Sequence, residues 1–278
     1  MPRNPITTNS FNAVAAGQTA TLALPVGAIV YQGLNLVYGT STAGGPNRAN
    51  MEAEIDEIRL KLNGKVQRVM SAAQLFKINE VQGVAVRDGH LPIFLGEPWR
   101  RSSQGEDSLA WGMADINDFT IEVDIDAAAS SPTLEARPVI ERVSRPLGPI
   151  VKWRRFTVPV SAVGIVNVTT LPKLDAYFKL HAFSANINAV EVNVDQRQVW
   201  DLTKAQMDNL YADNGITLPS GLASLLFDYT GRVSDALPMF NRDGVGGPAR
   251  QVSEFRVDFD MSAATAFDLI TETLGPRD

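Results

Sequence analysis

The chain has 278 residues, of which 45% are hydrophobic and 20% are charged. This composition supports folded cores rather than a disordered chain, and the length has room for two domains of ordinary size. A net charge of −6 gives no overall attraction to nucleic acid, and the lack of cysteine excludes disulfide scaffolds, thiol nucleophiles and cysteine metal sites.

The first half of the chain alternates short strands with turns rich in glycine, proline and asparagine. Strands are predicted where apolar side chains occupy every second position, and a helix where a hydroxyl residue opens an apolar stretch that a glycine closes. In chain order the predicted elements are an extended arm at Met1–Gln18, strands at Thr19–Leu24, Ile29–Tyr38 and Ile58–Leu62, a helix from Ser71 to Gly83, and a strand at Phe119–Ile125.

The second half is predicted to follow the same plan. Ala127–Pro149 contains four prolines and several turn residues, so we interpret it as the passage between domains spanning 1–145 and 146–278. The elements expected after it are strands at Arg155–Val160, Ile165–Leu171, Ala176–Phe183 and Val190–Val194, a helix at Thr203–Asp213, strands at Leu225–Tyr229, Leu237–Phe240 and Phe255–Met261, and a final short helix at Thr265–Leu274.

Three segments of the first half recur in the second half, in the same order. The unit formed by a strand, a polar turn and a helix at 58–83 recurs at 190–215, the segment 14–25 recurs at 161–172, and 118–128 recurs at 254–264. Similar segments that recur in the same order indicate an internal duplication. With short strands and only brief helices, the sequence predicts an all-β fold of two tandem eight-stranded jelly rolls, with short helices in loops.

The sequence contains no recognisable catalytic motif. It lacks the phosphate-binding glycine-rich loops and the nucleophile elbow, and its two histidines, His90 and His181, have no partner histidine nearby to form a metal site. We therefore expect no enzyme activity and no cofactor.

Glu122, Asp124 and Asp126 alternate along one predicted strand, so their carboxylates project from the same face. Oxygen ligands in such a row suit calcium, especially where another subunit supplies further oxygens. A solvated outer face is the simpler interpretation, and a weak structural calcium site at an interface is the alternative.

Two clusters combine tryptophan with basic side chains: Trp99, Arg100 and Arg101, and then Lys152, Trp153, Arg154 and Arg155. Tryptophan and arginine are favoured at protein interfaces, and anionic lipid or nucleic acid are other possible partners. Because the rest of the chain is acidic and can supply carboxylate partners, we predict that both clusters lie at subunit contacts. Local salt bridges within a loop are the plain alternative.

No apolar run approaches the length of a membrane-spanning helix, and the N-terminus lacks the apolar core of a signal peptide. These observations predict a soluble protein that is made in a cytoplasm.

The segment Val14–Gly27, with Tyr31 and Leu34–Gly39 after it, resembles the start of corticovirus-type major capsid proteins. Ile58–Gly64, Phe119–Ala128 and Val190–Leu202 resemble the same family in the same order. The likeness is most specific in the first forty residues, and it does not extend to the stretches 83–118 and 218–252.

This resemblance implies a double jelly-roll coat subunit of a tailless icosahedral phage with an internal membrane. Such subunits form homotrimers with a pseudo-hexameric outline, which tile a shell assembled in the bacterial cytoplasm. Its partners would be further copies of itself, a vertex (penton) protein and the inner viral membrane, with no specific nucleic acid. The competing hypothesis from the residues is a receptor- or carbohydrate-binding jelly-roll spike, which would need clustered aromatic platforms; the four tryptophans are instead scattered.

Overall fold

The chain folds as a long succession of short strands, and this computed structural model describes residues 4–5, 10–100, 103–242 and 249–278. The chain divides into two compact units. Unit 1 comprises Met1–Arg154 together with Pro276–Asp278, and unit 2 comprises Arg155–Gly275.

Unit 1 holds two sheets and three short helices. One sheet has the strand order β1-β9-β3-β6, with β7 also paired to β3, and the other has the order β5-β4-β8-β2. The elements are β1 (Asn4–Pro5), β2 (Thr19–Leu24), β3 (Val30–Gly39), α1 (Arg48–Glu54), β4 (Ile55–Leu62), β5 (Lys65–Met70), α2 (Ala72–Val81), β6 (His90–Phe94), α3 (Ser103–Ser108), β7 (Trp111–Gly112), β8 (Phe119–Ile125) and β9 (Thr133–Glu141). Strand β10 (Ile150–Val158) begins in unit 1 and ends in unit 2.

Unit 2 repeats this arrangement. One sheet contains the order β15-β12-β19, the second has the order β11-β18-β13-β14, and β16 and β17 form a separate hairpin. The elements are β11 (Gly164–Val168), β12 (Ala176–Phe183), β13 (Ile187–Val194), β14 (Arg197–Thr203), α4 (Lys204–Ala212), β15 (Ala223–Leu226), a 3₁₀ turn (Val233–Asp235), β16 (Phe240–Arg242), β17 (Ala249–Gln251), β18 (Phe255–Met261) and β19 (Phe267–Gly275).

Each unit buries its core between its two sheets. In unit 1 the ring of Tyr31 on β3 meets Phe119 on β8, with ring centres 5.1 Å apart. In unit 2 Tyr177 on β12 meets Phe255 on β18 at 4.7 Å. All four rings are almost completely buried, as expected where inward-facing side chains of two sheets interdigitate. The predicted double jelly roll is confirmed.

The repeated helix is built with the same caps in both units. Ser71 opens α2, and its hydroxyl accepts from the backbone N–H of Gln74, whose side chain bonds back to the Ser71 backbone. Thr203 and Gln206 form the same capping box at α4. Beyond each helix a glycine adopts a positive φ, as the sequence predicts for helix C-caps.

The sequence analysis missed the second strand of each repeated hairpin, β5 and β14. Strand β5 does not show the alternation of apolar and polar residues that predicts a strand, because two polar side chains, Gln67 and Arg68, are buried on it. Strand β14 does not show it either, because most of its residues are exposed or half exposed and it has no apolar face.

Two further predictions were wrong. Thr265–Leu274 was expected to be a helix, but Phe267–Gly275 forms strand β19, which is buried on both faces and therefore lacks a period-two pattern. The passage Ala127–Pro149 contains strand β9, whose alternation of buried and exposed residues is partly disguised by Pro138.

The boundary between the units also differs from the expected division after residue 145. Unit 1 continues to Arg154, because Trp153 of β10 pairs in parallel with Arg68 of β5. The last three residues belong to unit 1 as well, and Asp278 bonds there to Lys152 and Arg154.

Candidate assembly surfaces

The first basic and aromatic cluster is largely satisfied within the chain. The Arg100 guanidinium donates to the carboxylate of Glu97 at 2.6 Å, and both side chains are buried. Trp99 is half buried and packs edge-on against Phe94, with ring centres 5.3 Å apart. Arg101 lies outside the described residues. Trp99 is therefore the described member of this cluster with the most surface available to a partner.

The second cluster lies on β10. Lys152 is buried, and its ammonium group lies 3.0 Å from the Asp278 carboxylate, which Arg154 also binds at 2.8 Å. Burial of Asp278 raises its pKa, but the bonds from Lys152 and Arg154 outweigh this effect and hold the pKa below its ordinary value. Arg155 is half buried and belongs to unit 2.

Trp153 is 6% exposed and packs against a buried arginine of β5. The Arg68 guanidinium lies 5.0 Å from the centre of the Trp153 ring and 5.5 Å from that of Trp111. It also donates to the backbone oxygens of Val151 and Phe94. These contacts join Trp153 to Arg68 within unit 1, and its role at a subunit contact stays a prediction.

The acidic row on β8 is neutralised by basic side chains of the neighbouring strand β4. Arg59 bonds to Glu122 at 2.9 Å and to Asp124 at 2.7 Å, and Lys61 bonds to Glu122 at 2.5 Å. The bond from Arg59 is the main reason why the pKa of Asp124 is lowered. For Glu122, burial raises the pKa, but the bonds from Lys61 and Arg59 outweigh it and lower the pKa.

Asp126, the third member of the row, accepts a hydrogen bond from the backbone N–H of Ala128. Among the described residues, no group of three acidic or histidine side chains is arranged to hold a metal ion. A calcium ion at this row would compete with Arg59 and Lys61, so it would need oxygen atoms from another subunit. That site stays a prediction.

The two histidines lie in different environments. His90 is half buried, and its Nδ1 lies 3.1 Å from the Asn35 amide nitrogen. His181 is completely buried in unit 2, with Nδ1 2.8 Å from the Ser224 hydroxyl and Nε2 3.0 Å from the Glu272 carboxylate. From the sequence, His181 is distinguished only by having no partner histidine nearby. It is a buried member of a polar network.

Sequence reasoning missed a strip on the outward face of the β9-β3-β6 sheet. Gly33 pairs with Phe94 on one side and with Val139 on the other, so the row of side chains across the sheet has a gap at its centre. In the next row Asn35 pairs with Pro92 on one side and with Arg137 on the other. We call Gly33, Phe94, Val139, Asn35 and Pro92 the open strip. With Leu34, Ile93 and neighbouring loop residues they line a cavity of about 220 Å³.

One polar atom of a residue that lines this cavity lacks a partner. Asn35 Oδ1 is buried and accepts no hydrogen bond from the described residues. A glycine inside a strand is the one signal in the sequence that could have indicated the gap, because such glycines mark positions where another group approaches the backbone closely.

In the part of the chain that the structure describes, none of the helices has the length and apolar character needed to cross a membrane.

Comparison with solved structures identifies the same architecture in viral capsids. The chain superposes on the major capsid protein P2 from bacteriophage PM2 with a TM-score of 0.85 and 21% identity, covering 99% of this chain and 97% of that chain. It also matches the atomic structure of Sulfolobus turreted icosahedral virus (TM-score 0.68, 11% identity, 98% and 90% covered) and the PBCV-1 virus capsid (TM-score 0.63, 8% identity, 98% and 93% covered). At these identities the likeness shows the fold.

Sequence comparison supplies the family. No curated protein matched the chain. The family model of the viral coat protein P2 N-terminal domain matches residues 5–141, and that of the C-terminal domain matches residues 150–276. The two matches together span most of the chain, and they describe a structural coat protein rather than an enzyme. The chain therefore belongs to the viral coat protein P2 family and is a double jelly-roll capsid protein of the virion.

Proposed function

We propose that this capsid protein forms homotrimers with a pseudo-hexameric outline, and that the trimers tile an icosahedral phage shell around an internal membrane. The internal repeat carries the proposal. Two units that share capping boxes and aromatic core pairs present related surfaces twice per chain. Three such chains arranged around a threefold axis place six similar units in a ring.

The energetics of such a trimer come from buried area and not from a few salt bridges. Obligate interfaces bury about 2,000 Å² or more, and their centres are apolar, with charged groups kept to the rim. Contacts between trimers in the shell would be smaller and individually weaker. The net charge of −6 favours this hierarchy, because copies repel over most of their surface and associate where charge is low.

Within this proposal, the two basic and aromatic clusters contribute to contacts between subunits. Trp99 and Arg155 are partly exposed members of these clusters. Half-buried tryptophan and arginine side chains are frequent anchors of protein interfaces. A weak calcium site at the Glu122 and Asp124 row belongs to the same proposal, with the partner subunit as the source of further oxygens.

The wider partners follow from the same assembly. Trimers with a pseudo-hexameric outline do not fit the fivefold vertices of an icosahedral shell, so a separate vertex (penton) protein would occupy them, and the inner membrane would lie beneath the trimers. Assembly would take place in the cytoplasm of the bacterial host. The negative net charge supports a shell protein that makes no specific contact with the genome.

Light scattering and electron microscopy on the purified chain test the proposal. We expect a stable trimer that forms shells or flat arrays with pseudo-hexagonal packing. A trimer that forms no lattice but binds host cells or glycans would favour a spike protein instead. A chain that stays monomeric at all concentrations would contradict the proposal.

A further inference from the structure

Strand β2 of unit 1 and strand β11 of unit 2 are equivalent edge strands. Each is the last strand of its sheet and pairs on one side with a strand of a recurring segment, β8 or β18. Thr19 pairs with Asp124 on β8, and Ile165 pairs with Asp260 on β18. Because Asp124 and Asp260 hold the same place in the repeat, Ile165 is the counterpart of Thr19.

The other side of β2 is covered by the chain itself. The backbone N–H of Asn12 donates to the Thr21 carbonyl at 2.8 Å, and the Thr21 N–H donates back to the Asn12 carbonyl at 3.0 Å. Phe11, directly before Asn12, is buried. An extended segment of unit 1 therefore pairs with its own edge strand.

The same side of β11 has no such pairing in the part of the chain that the structure describes. Asn167 is the counterpart of Thr21, so its backbone N–H and C=O point away from β18. The segment before β11 contains Pro159, which has no N–H to donate. We call this side of β11, together with Val163, the β11 edge.

The β11 edge presents apolar side chains to solvent. Val163 and Ile165 are 66% and 72% exposed, more than any other large apolar side chain among the described residues. In unit 1 the place of Ile165 is held by Thr19, whose hydroxyl donates to Asp124 at 2.7 Å. Sheet edges are usually protected by charged or polar groups, and an open apolar edge is a place where an extended chain can add as a further strand.

The surroundings of the β11 edge are acidic. Asp258 and Asp260 lie on β18 directly beside β11, and Glu191 lies next to Asp258 on β13. In unit 1 the place of Glu191 is held by Arg59, which neutralises the acidic row there. In unit 2 Arg256 bonds to Asp258 at 2.9 Å, so one basic side chain faces three carboxylates. The excess negative charge attracts a basic partner.

We propose that an extended basic segment of another protein pairs with the β11 edge as an added strand. Its backbone bonds to Asn167, and its apolar side chains pack on Val163 and Ile165. Because neighbouring strands lie about 4.8 Å apart, its lysine or arginine side chains can reach across β11 to Asp258 and Asp260. This contact goes beyond the proposed trimer and does not depend on it.

A second copy of this chain fits the β11 edge less well. Two such edges would bring their acidic groups together. The N-terminal segment of each copy already pairs with its own strands, through Asn4 on β9 and Asn12 on β2. A partner rich in lysine or arginine meets neither obstacle.

Peptide binding to the full chain tests the inference. The probe is a short synthetic peptide in which lysine alternates with valine, and the control peptide has glutamate in place of lysine. By fluorescence anisotropy of the labelled peptides, we expect the lysine peptide to bind about tenfold or more tightly than the glutamate peptide. Hydrogen exchange of the Asn167 amide should become slower in the complex.

Two substitutions at one position test the backbone pairing. Asn167→Pro removes the outward N–H, and proline is tolerated on an edge strand where that N–H faces solvent. Asn167→Ala is the matched control, because it loses the side-chain bond to Asp258 but keeps the N–H. We expect N167P to weaken binding of the lysine peptide by about tenfold or more, and N167A by less than about twofold.

A second pair of variants keeps the inference testable if N167P does not fold, as judged by thermal melts followed by circular dichroism. Ile165→Lys places a positive charge on the exposed edge, and Thr19→Lys places one at the equivalent position of the covered strand β2. We expect I165K to weaken binding of the lysine peptide by about tenfold or more, and T19K to leave it unchanged.

Several results would overturn the inference. They are equal binding by the wild type and a folded N167P, equal binding of the two peptides, and no binding of either peptide. Association of the wild type without peptide that N167P abolishes would assign the edge to a second copy, and would overturn the inference as well. A chain that binds the lysine peptide in this way but stays monomeric would overturn the proposed function alone.

Discussion

The side chain of Asn63 accepts a hydrogen bond from the backbone N–H of Asp118 at 3.1 Å. It accepts a second from Asn117. In unit 2, Asp195 accepts in the same way from Glu254 at 3.0 Å and from Ser253. This contact joins two of the segments that recur in the sequence, the hairpin turn and the start of the strand that carries Phe119 or Phe255. The recurring segments are therefore parts of one local structure that occurs in both units.

Removing the acceptor at this turn should destabilise unit 1. Asn63 also has a φ of 50°, a left-handed conformation that asparagine tolerates better than alanine. We expect Asn63→Ala to lower the free energy of unfolding by about 1–2 kcal/mol, measured by urea denaturation. Asn63→Asp, which copies the residue in unit 2, is the control and should change it by less than about 0.5 kcal/mol. Equal effects of the two variants would contradict the role of the acceptor.

The next position of each turn tests the backbone alone. Gly64 has a φ of 77°, and the equivalent Gln196 has a φ of 63°. Because a left-handed conformation costs a residue with a Cβ about 1 kcal/mol, Gly64→Gln should lower the melting temperature. Gln196→Gly should leave it equal or raise it slightly, because relief of strain is partly offset by the flexibility of glycine. A stabilising Gly64→Gln would show that the turn conformation is not retained.

The ion pairs around Arg59 predict a pH-dependent loss of stability. The folded-state pKa values of Asp124 and Glu122 are lowered, so these carboxylates contribute stability above their unfolded pKa values of about 4, and this contribution is lost as the pH falls through the lower folded values. Arg59→Gln should lower the free energy of unfolding by about 2 kcal/mol at pH 7. The difference from the wild type should shrink as the pH falls below about 4.

An exposed pair provides the control for that experiment. Arg137 and Glu135 lie 3.0 Å apart with side chains 52% and 64% exposed, so solvent screens their attraction. Arg137→Gln should change stability by less than about 0.5 kcal/mol at any pH. An Arg59→Gln effect that persists undiminished at pH 2 would assign the loss to packing and not to charge.

Charge reversal on β10 tests the second basic cluster as a subunit contact. Arg155→Glu should weaken assembly, measured as the yield of assembled particles. Arg154→Glu should do so as well, but it also disrupts the pair with Asp278. Asp278→Asn separates these effects, because it removes that pair and retains the arginine. Unaltered particle yield for both charge reversals would count against an interface role.

Calcium removal tests the acidic row. If another subunit completes a site at Glu122 and Asp124, EDTA should shift the assembled population toward smaller species, and added calcium should restore it. The melting temperature of the isolated chain should not change, because Arg59 and Lys61 already neutralise the row there. If EDTA leaves the assembled fraction unchanged, calcium has no role in assembly.

Local signals in the sequence are sufficient for much of the fold. Ser71 and Thr203 were predicted as helix N-caps because a hydroxyl precedes an apolar stretch, and both form capping boxes. The strand Phe119–Ile125 was predicted with its observed bounds, since one face is buried and the other is polar. These features depend on residues a few positions apart, which the sequence displays directly.

The features that the sequence analysis missed depend on which residues pack against both faces and both edges of a strand. β19 is buried on both faces, so it offers no alternation, and Arg68 is buried because Trp111 and Trp153 enclose it. The open strip depends on the pairing of Gly33 with Phe94 and Val139, which are far apart in the sequence. Such features require the sheet register, which a single sequence does not reveal.

The mass of the purified chain in solution, measured by multi-angle light scattering and followed by cryo-electron microscopy, tests the central claim most directly. The account predicts a particle of three copies with six similar lobes around a threefold axis. A species of one or two copies at every concentration, or a trimer without six lobes, would contradict it.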